Sequence, residues 1–206
     1  MKLLVFGATG KTGIEIVKQA LAQGHEVTAF VRDPSKMMLE NDRLQLITGD
    51  VLDLAAVTQA VQEQDAVICS LGTNSLGKTS VRSTGTANII KAMEENHVER
   101  LVVVSAMGIG ESWSTLSSAN KLFFNTVLRN TRKDHEKQEA LVKESSLDWT
   151  IVRPSGLTDT PVTGNYAVGE NIGAKTSKIS RADVAHFIVK ELDDNAFVCK
   201  AITITN

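Results

Sequence analysis

Three glycines at three-residue spacing, Gly7, Gly10 and Gly13, stand between two apolar segments of different period. Before them, Leu3, Leu4, Val5 and Phe6 form a run too short for a helix and apolar on both faces, as in a strand buried on both sides. After them, Ile14, Ile16, Val17, Ala20 and Leu21 recur at helical spacing up to Gly24. Strand, glycine turn, helix is the context in which a dinucleotide fingerprint operates. Gly7 permits a tight turn, Gly10 lets a pyrophosphate approach the backbone, and Gly13 lets helix and strand pack closely. The helix start offers unpaired N–H groups and a partial positive charge to phosphate. With Thr9, Lys11 and Thr12, these glycines are the candidate phosphate loop. The spacing is GxxGxxG rather than GxGxxG, so the triplet alone also permits a glycine-rich turn of purely structural role.

The rest of the chain repeats the same unit. Apolar runs predict strands over 25–32, 44–48, 65–70, 100–105, 148–153 and 198–205. Helical patterns lie between them over about 53–63, 79–96, 116–128, 131–145 and 181–192, the last opened by Ser180 with Asp183 three residues on. This alternation predicts an α/β fold, a Rossmann-like doubly wound parallel sheet with helices on both faces, in a single domain of 206 residues. Residues 155–176 show little periodicity and read as a long loop, which in a compact domain is usually functional; the expected substrate region is built from the loops at about 106–118 and 154–176.

With 22 basic and 24 acidic residues, the chain is not expected to take nucleic acid or a membrane surface as its main partner. Cys69 and Cys199 lack CxxC spacing and the four histidines are scattered, so neither a disulfide framework nor a metal site is expected. The apolar run before the glycines is too short for a signal peptide, and no stretch approaches a membrane span. The expectation is a cytoplasmic protein that acts on a small molecule as a monomer or weak homo-oligomer.

Ligands of open parallel sheets bind beyond the carboxyl ends of the strands. That rule selects Gly7 to Gly13, Arg32, Asp50, Leu71 to Thr73, Ser105 and the stretch from Arg153 through Pro154 and Ser155 to Gly156. Arg32 ends the second strand, 19 residues after Gly13, where NAD enzymes place an acid for the ribose 2′-hydroxyl and an Arg suits a 2′-phosphate. Lys36 lies one turn on and can assist, whereas Asp33 either caps a short helix or reaches a 2′-hydroxyl. Asp50 and Val51 either face the adenine or form a turn that feeds a helix cap. Gly72, between Leu71 and Thr73, lets the backbone pass close to a cofactor. Ser105 either reaches the nicotinamide or a substrate oxygen, or bonds to backbone. Trp113 is either a wall of the substrate site or a loop anchor. Tyr166 is the only tyrosine and Glu170 follows four residues later, so a YxxxK pair is absent, as is a GxSxG elbow.

Taken together, GATGKTG, VRDPSK, GDVLD, LGT, TGTANIIKAM, VVVSAMG, RPSGLTDTPVTGNY and ISRADVAHFI resemble the atypical short-chain dehydrogenase/reductases over almost the full length, in the same motif order. Within these the chain is most similar to the flavin- and biliverdin-reducing branch, while GATGxTG and VRD are shared with NmrA-like proteins. The resemblance implies NADP(H)-dependent reduction of an aromatic acceptor: a flavin, a quinone or the tetrapyrrole biliverdin. Carried over by motif, it implies that Gly7 to Gly13, Arg32, Lys36, Asp50, Val51, Leu71 to Thr73, Ser105, Pro154 and Ser155 hold the cofactor, with Ser105 beside the hydride-transfer centre. Where the resembled reductases carry a His near the bound substrate, this chain has Gly156. Hydride transfer would then rest on positioning two rings, with water as proton source. A second reading is an NADPH-binding regulator or redox sensor without turnover, as in NmrA-like proteins. A sugar-nucleotide epimerase is disfavoured by the missing Tyr–Lys pair.

Overall fold

Leu3 to Phe6 and the inner apolar runs become strands because both faces of the sheet are covered there, whereas the edge run at 44–48 is half-exposed. A computed structural model describes residues 1–73, 77, 79–170, 172–173 and 178–206, apart from the side chains of 120, 123 and 124. The stretches 74–76, 78, 171 and 174–177, which include much of the polar loop expected after the fourth strand, lie outside the described residues. The elements in order are β1 (Lys2–Phe6), α1 (Lys11–Ala22), β2 (Glu26–Val31), a 3₁₀ turn (Pro34–Lys36), β3 (Leu44–Thr48), α2 (Leu54–Val61), β4 (Ala66–Cys69) and α3 (Val81–Asn96). Then come β5 (Arg100–Val104), a second 3₁₀ turn (Gly110–Thr115), α4 (Ser118–Thr126), α5 (Arg129–Glu144), β6 (Asp148–Pro154), β7 (Gly156–Thr158), β8 (Ala167–Gly169), β9 (Lys178–Ser180), α6 (Arg181–Asp194) and β10 (Lys200–Thr205).

The main sheet runs in the order β3-β2-β1-β4-β5-β6-β10-β8, parallel except for the β10–β8 pair. It is a single α/β Rossmann-like domain, as the alternation predicts. Every residue of β4 and β5 is buried, which explains why both are apolar apart from Arg100 at the start of β5. On one face, Ile16, Val17 and Ala20 of α1 pack with Val184, Ala185 and Ile188 of α6. On the other, Val57 and Val61 of α2, Ile89 and Met93 of α3 and Val142 of α5 pack against Leu4, Val67 and Leu101. Burying a side chain of this size stabilises by about 1.5–3 kcal/mol, so these two layers hold the sheet.

Register brings the strand ends level. Phe6 lies opposite Phe30 and Cys69, and Val104 opposite Val152. Gly7, Arg32, Ser70, Ser105 and Arg153 therefore emerge along one edge. No described helix is long and apolar enough to cross a membrane.

The stretch 155–176 departs from the loop expected there. β7 pairs with β9 in a separate two-stranded parallel sheet, and β8 adds antiparallel to β10. Each strand has three residues, too few to show a period of two, and only their distant partners define them. Asp183 pins the segment between β7 and β8. Its carboxylate accepts from the backbone N–H of Thr163 (2.7 Å) and Gly164 (2.9 Å) and from the hydroxyls of Thr163 and Ser180. Burial works to raise its pKa, but these donors outweigh it and hold the group below the usual carboxylate range. Ser180 caps α6 by accepting from the Asp183 N–H at 2.8 Å.

Candidate active site

The turn from β1 into α1 is built for close approach. Gly7 has φ +77°, and a Cβ there would lie 2.3 Å from the Ser70 carbonyl oxygen. At Gly13 a Cβ would lie 2.1 Å from the Gly7 carbonyl oxygen, so only glycine lets α1 sit against the end of β1. Gly10 caps α1 without any side-chain bond, and the first turn carries no acidic residue. The helix start is thus open to an anion. Thr9, Gly10 and Lys11 are exposed, and Thr12 is buried. Lys11 is not free: its ammonium pairs with Asp159 at 2.6 Å, and Arg181 pairs with the same carboxylate.

At the end of β2 the two sequence alternatives separate. The Asp33 carboxylate accepts from the Ser35 hydroxyl (2.6 Å) and the Ser35 N–H (3.1 Å) and caps the first 3₁₀ turn. Those hydrogen bonds lower its pKa. Lys36 stays with it at 3.8 Å. Arg32 is exposed. Asp50 bonds the Leu52 N–H at 3.0 Å, the turn alternative, while Val51 is buried and its carbonyl accepts from Asn88. Leu71 and Val51 both press on Gly85 of α3, where a Cβ would come within 2.9 Å of either side chain. Thr73 is half-buried. Gly72 beside it is exposed, and a Cβ there would meet nothing within 4 Å.

The Ser105 side chain is buried and bonds to side chains rather than to the backbone. Its hydroxyl donates to Glu139 of α5 at 2.6 Å and lies 3.5 Å from His135 Nδ1. Glu139 in turn accepts from Arg153 Nε (3.0 Å) and Nη2 (2.6 Å), and Arg153 Nη2 also reaches Glu111 at 2.7 Å. Arg153 and Glu139 are nearly sealed, with side-chain exposures of 1% and 3%. Burial alone would lower the Arg153 pKa, but its two carboxylate partners outweigh that and raise it. Hydrogen bonds from Lys143 and Arg153 pull Glu111 down to about 2. His135 is held down at about 4, first by burial and then by the Arg82 charge, so it is neutral at pH 7. Ser155 is buried and its hydroxyl has no partner. Pro154 is buried and Gly156 is exposed. Trp113 sits in the second 3₁₀ turn with the Arg132 guanidinium 4.7 Å above its ring.

Sequence reasoning passed over His135, Glu139 and Arg82. The signal was there in α5: Asp134, His135, Gln138, Glu139 and Val142 recur at helical spacing and are all buried, a polar stripe facing inward. The HxxxE pair of this stripe stands over the end of β5, beside Ser105.

An uncapped helix start behind a glycine turn, with an arginine at the end of β2, fits a dinucleotide, and comparison with known proteins agrees. Residues 7–195 match the family described as NAD(P)H-binding, and this chain belongs to that family of Rossmann-fold proteins. It is 33% identical over 203 residues to an uncharacterized chloroplastic protein of Arabidopsis thaliana, covering 93% of this chain and 71% of that one. The solved structure of ChuY, an anaerobilin reductase from Escherichia coli O157:H7, is similar with a TM-score of 0.82 and 25% identity, covering 100% of this chain and 97% of that one. A short-chain dehydrogenase/reductase from Veillonella parvula, solved in complex with NADP, shares the fold with a TM-score of 0.84 at 19% identity, covering 100% of this chain and 94% of that one.

Proposed function

We propose that this chain is an NADPH-dependent reductase of a flavin-like, quinone-like or bilin-like aromatic acceptor, acting in the cytoplasm as a monomer or weak homo-oligomer. The observation that supports the cofactor choice is at the end of β2: Asp33 is engaged with Ser35, and Arg32 beside it is exposed where an adenosine ribose would lie. A guanidinium there suits a 2′-phosphate. The α1 start and the backbone of Gly7 to Gly13 would hold the pyrophosphate, with Leu71 to Thr73, Pro154 and Ser155 lining the remainder. Bound NADPH supplies a hydride. The chain's own share is to hold two rings in register, which is a geometric and entropic contribution.

The acids on offer support the acceptor class. His135 is neutral at pH 7 and the Ser105 hydroxyl is tied to Glu139, so among the described residues no strong acid is poised at the end of β5. An aromatic acceptor whose reduced form tolerates a negative charge does not need one, and solvent can supply its proton. A neighbouring structure that is itself a bilin-type reductase by name supports the same class. The inward-turned Ser105 also favours the second reading, an NADPH-binding regulator without turnover. Steady-state NADPH oxidation with FMN, FAD and menadione separates the two. Acceptor-dependent oxidation well above background is expected. NADPH binding without it would establish the regulator.

A further inference from the structure

Two helices of this protein open on a cation, where the helix dipole favours an acid. Lys11 is the first residue of α1, and Arg181 is the first residue of α6. The two helices pack together through Ile16, Val17, Val184 and Ile188, and Gln19 of α1 donates to the Ala182 carbonyl of α6 at 2.8 Å. One carboxylate joins their starts. Asp159 accepts from the Lys11 ammonium at 2.6 Å through one oxygen and from Arg181 through the other. Strand pairing explains the placement: Thr158 of β7 lies opposite Ser180 of β9, so the next residues along, Asp159 and Arg181, meet. Further on, Asp183 pins the same segment through the N–H groups of Thr163 and Gly164. The hydrogen bond from Lys11 and the nearby Arg181 charge hold the Asp159 carboxyl below the usual carboxylate range.

This cluster stands at the α1 start, which has no side-chain cap and no acid in its first turn. It is open to solvent: the side-chain exposures are 70% for Lys11 and 59% for Asp159, and Thr9 and Gly10 are exposed beside them. A phosphate can therefore reach the ammonium without disturbing the core. An exposed ion pair is weak, so an anion of higher charge can take its cation away. Arg181, with 21% of its side chain exposed, is the more enclosed of the two cations and can keep the carboxylate when the ammonium leaves.

Resting on the reading that NADPH lies at the α1 start, we infer that Asp159 is a brake on cofactor binding. It holds Lys11 back, and the pyrophosphate of the cofactor must draw the ammonium off it. Lys11 then serves the phosphates, and Asp159 stays with Arg181. Pyrophosphate is common to NADPH and NADH, so this brake acts on both, whereas Arg32 concerns the 2′-phosphate alone.

The test measures dissociation constants for NADPH and NADH by titration calorimetry at fixed ionic strength. The full chain is used as wild type, Asp159→Asn, Asp159→Ala, Lys11→Met and the double variant Asp159→Asn with Lys11→Met. Asp159→Asn should tighten both cofactors about two- to fivefold, the size of one exposed ion pair. Asp159→Ala removes the same carboxylate by another route and should give the same gain. Lys11→Met should weaken both cofactors. In that background Asp159→Asn should gain little, because no ammonium is left to release. Unchanged or weaker binding in both Asp159 variants would make the carboxylate a support for Lys11 and overturn the inference. A gain confined to NADPH would place its effect on the 2′-phosphate and overturn it too. So would an equal gain with and without Lys11, which would mean plain charge repulsion. These outcomes sink the inference alone, whereas a wild type that binds neither cofactor would sink the cofactor reading and the inference with it.

Discussion

Arg32, directly after β2, is exposed, while the carboxylate of Asp33 is drawn back onto Ser35. Adjacent residues thus divide the work: one shapes the turn, and the other is available to a ligand. A charge-assisted bond contributes about 1.5–3 kcal/mol, and exposure places this one near the low end. Arg32→Ala should therefore weaken NADPH about 10-fold or somewhat more and leave NADH almost unchanged, since NADH has no 2′-phosphate. Raising the salt concentration should weaken NADPH more than NADH in the wild type. Dissociation constants for both cofactors at two ionic strengths check this. Equal losses for NADPH and NADH would mean that Arg32 supports the adenine wall or the fold.

Helix α5 shows how one buried polar face can tie several distant segments together. Asp134 caps α3, Gln138 donates to Thr86 at 2.9 Å, and Glu139 joins Ser105 to Arg153. Removing one side of a sealed ion pair costs about 3–5 kcal/mol, because the remaining charge stays buried. Glu139→Gln should therefore lower Tm by roughly 10 °C, at about 2–4 °C per kcal/mol for a chain of this size. Glu139→Leu combined with Arg153→Met should recover much of the loss, since a matched apolar pair leaves no charge behind. Thermal melts followed by circular dichroism read both. A drop of only a degree or two in the single variant would show that water reaches Arg153 and that the pair is not sealed.

Across the whole molecule, His135 ties stability to pH. Its folded pKa of about 4 lies below the ordinary 6.5. Between those values the unfolded chain binds a proton that the folded chain does not. Stability is therefore complete above pH 6.5 and falls as pH drops through the window, by about 3 kcal/mol in all. Asp183 and Glu111 act below that window. Their depressed pKa values stabilise the fold above the ordinary carboxylate range, and that contribution is lost as pH falls towards their folded values. Urea unfolding of the wild type at pH 7, 5.5 and 4.5 should show a steady decline. His135→Gln should flatten the segment above pH 4.5. An unchanged slope in the variant would assign the decline to other groups.

The sheet and its glycine turn were legible in the sequence because their causes are local. A strand buried on both faces must be apolar throughout, and a helix packed against a strand end must have no Cβ at Gly13. The position of Arg32 followed from counting along one β-α-β unit. Other features depended on partners far along the chain. Three-residue strands such as β7 and β9 exist only as a pair, and that pairing joins residues about twenty positions apart. The Ser105 hydroxyl turned inward because Glu139, 34 residues later, stands over it. The start of α3 is capped not by Ser80 but by Asp134, from another helix, which accepts from Ser83 and the α3 backbone. Periodicity and glycine spacing report the shape each segment needs. Which polar group satisfies which, and which is left for a ligand, is decided only when distant segments are packed out of water.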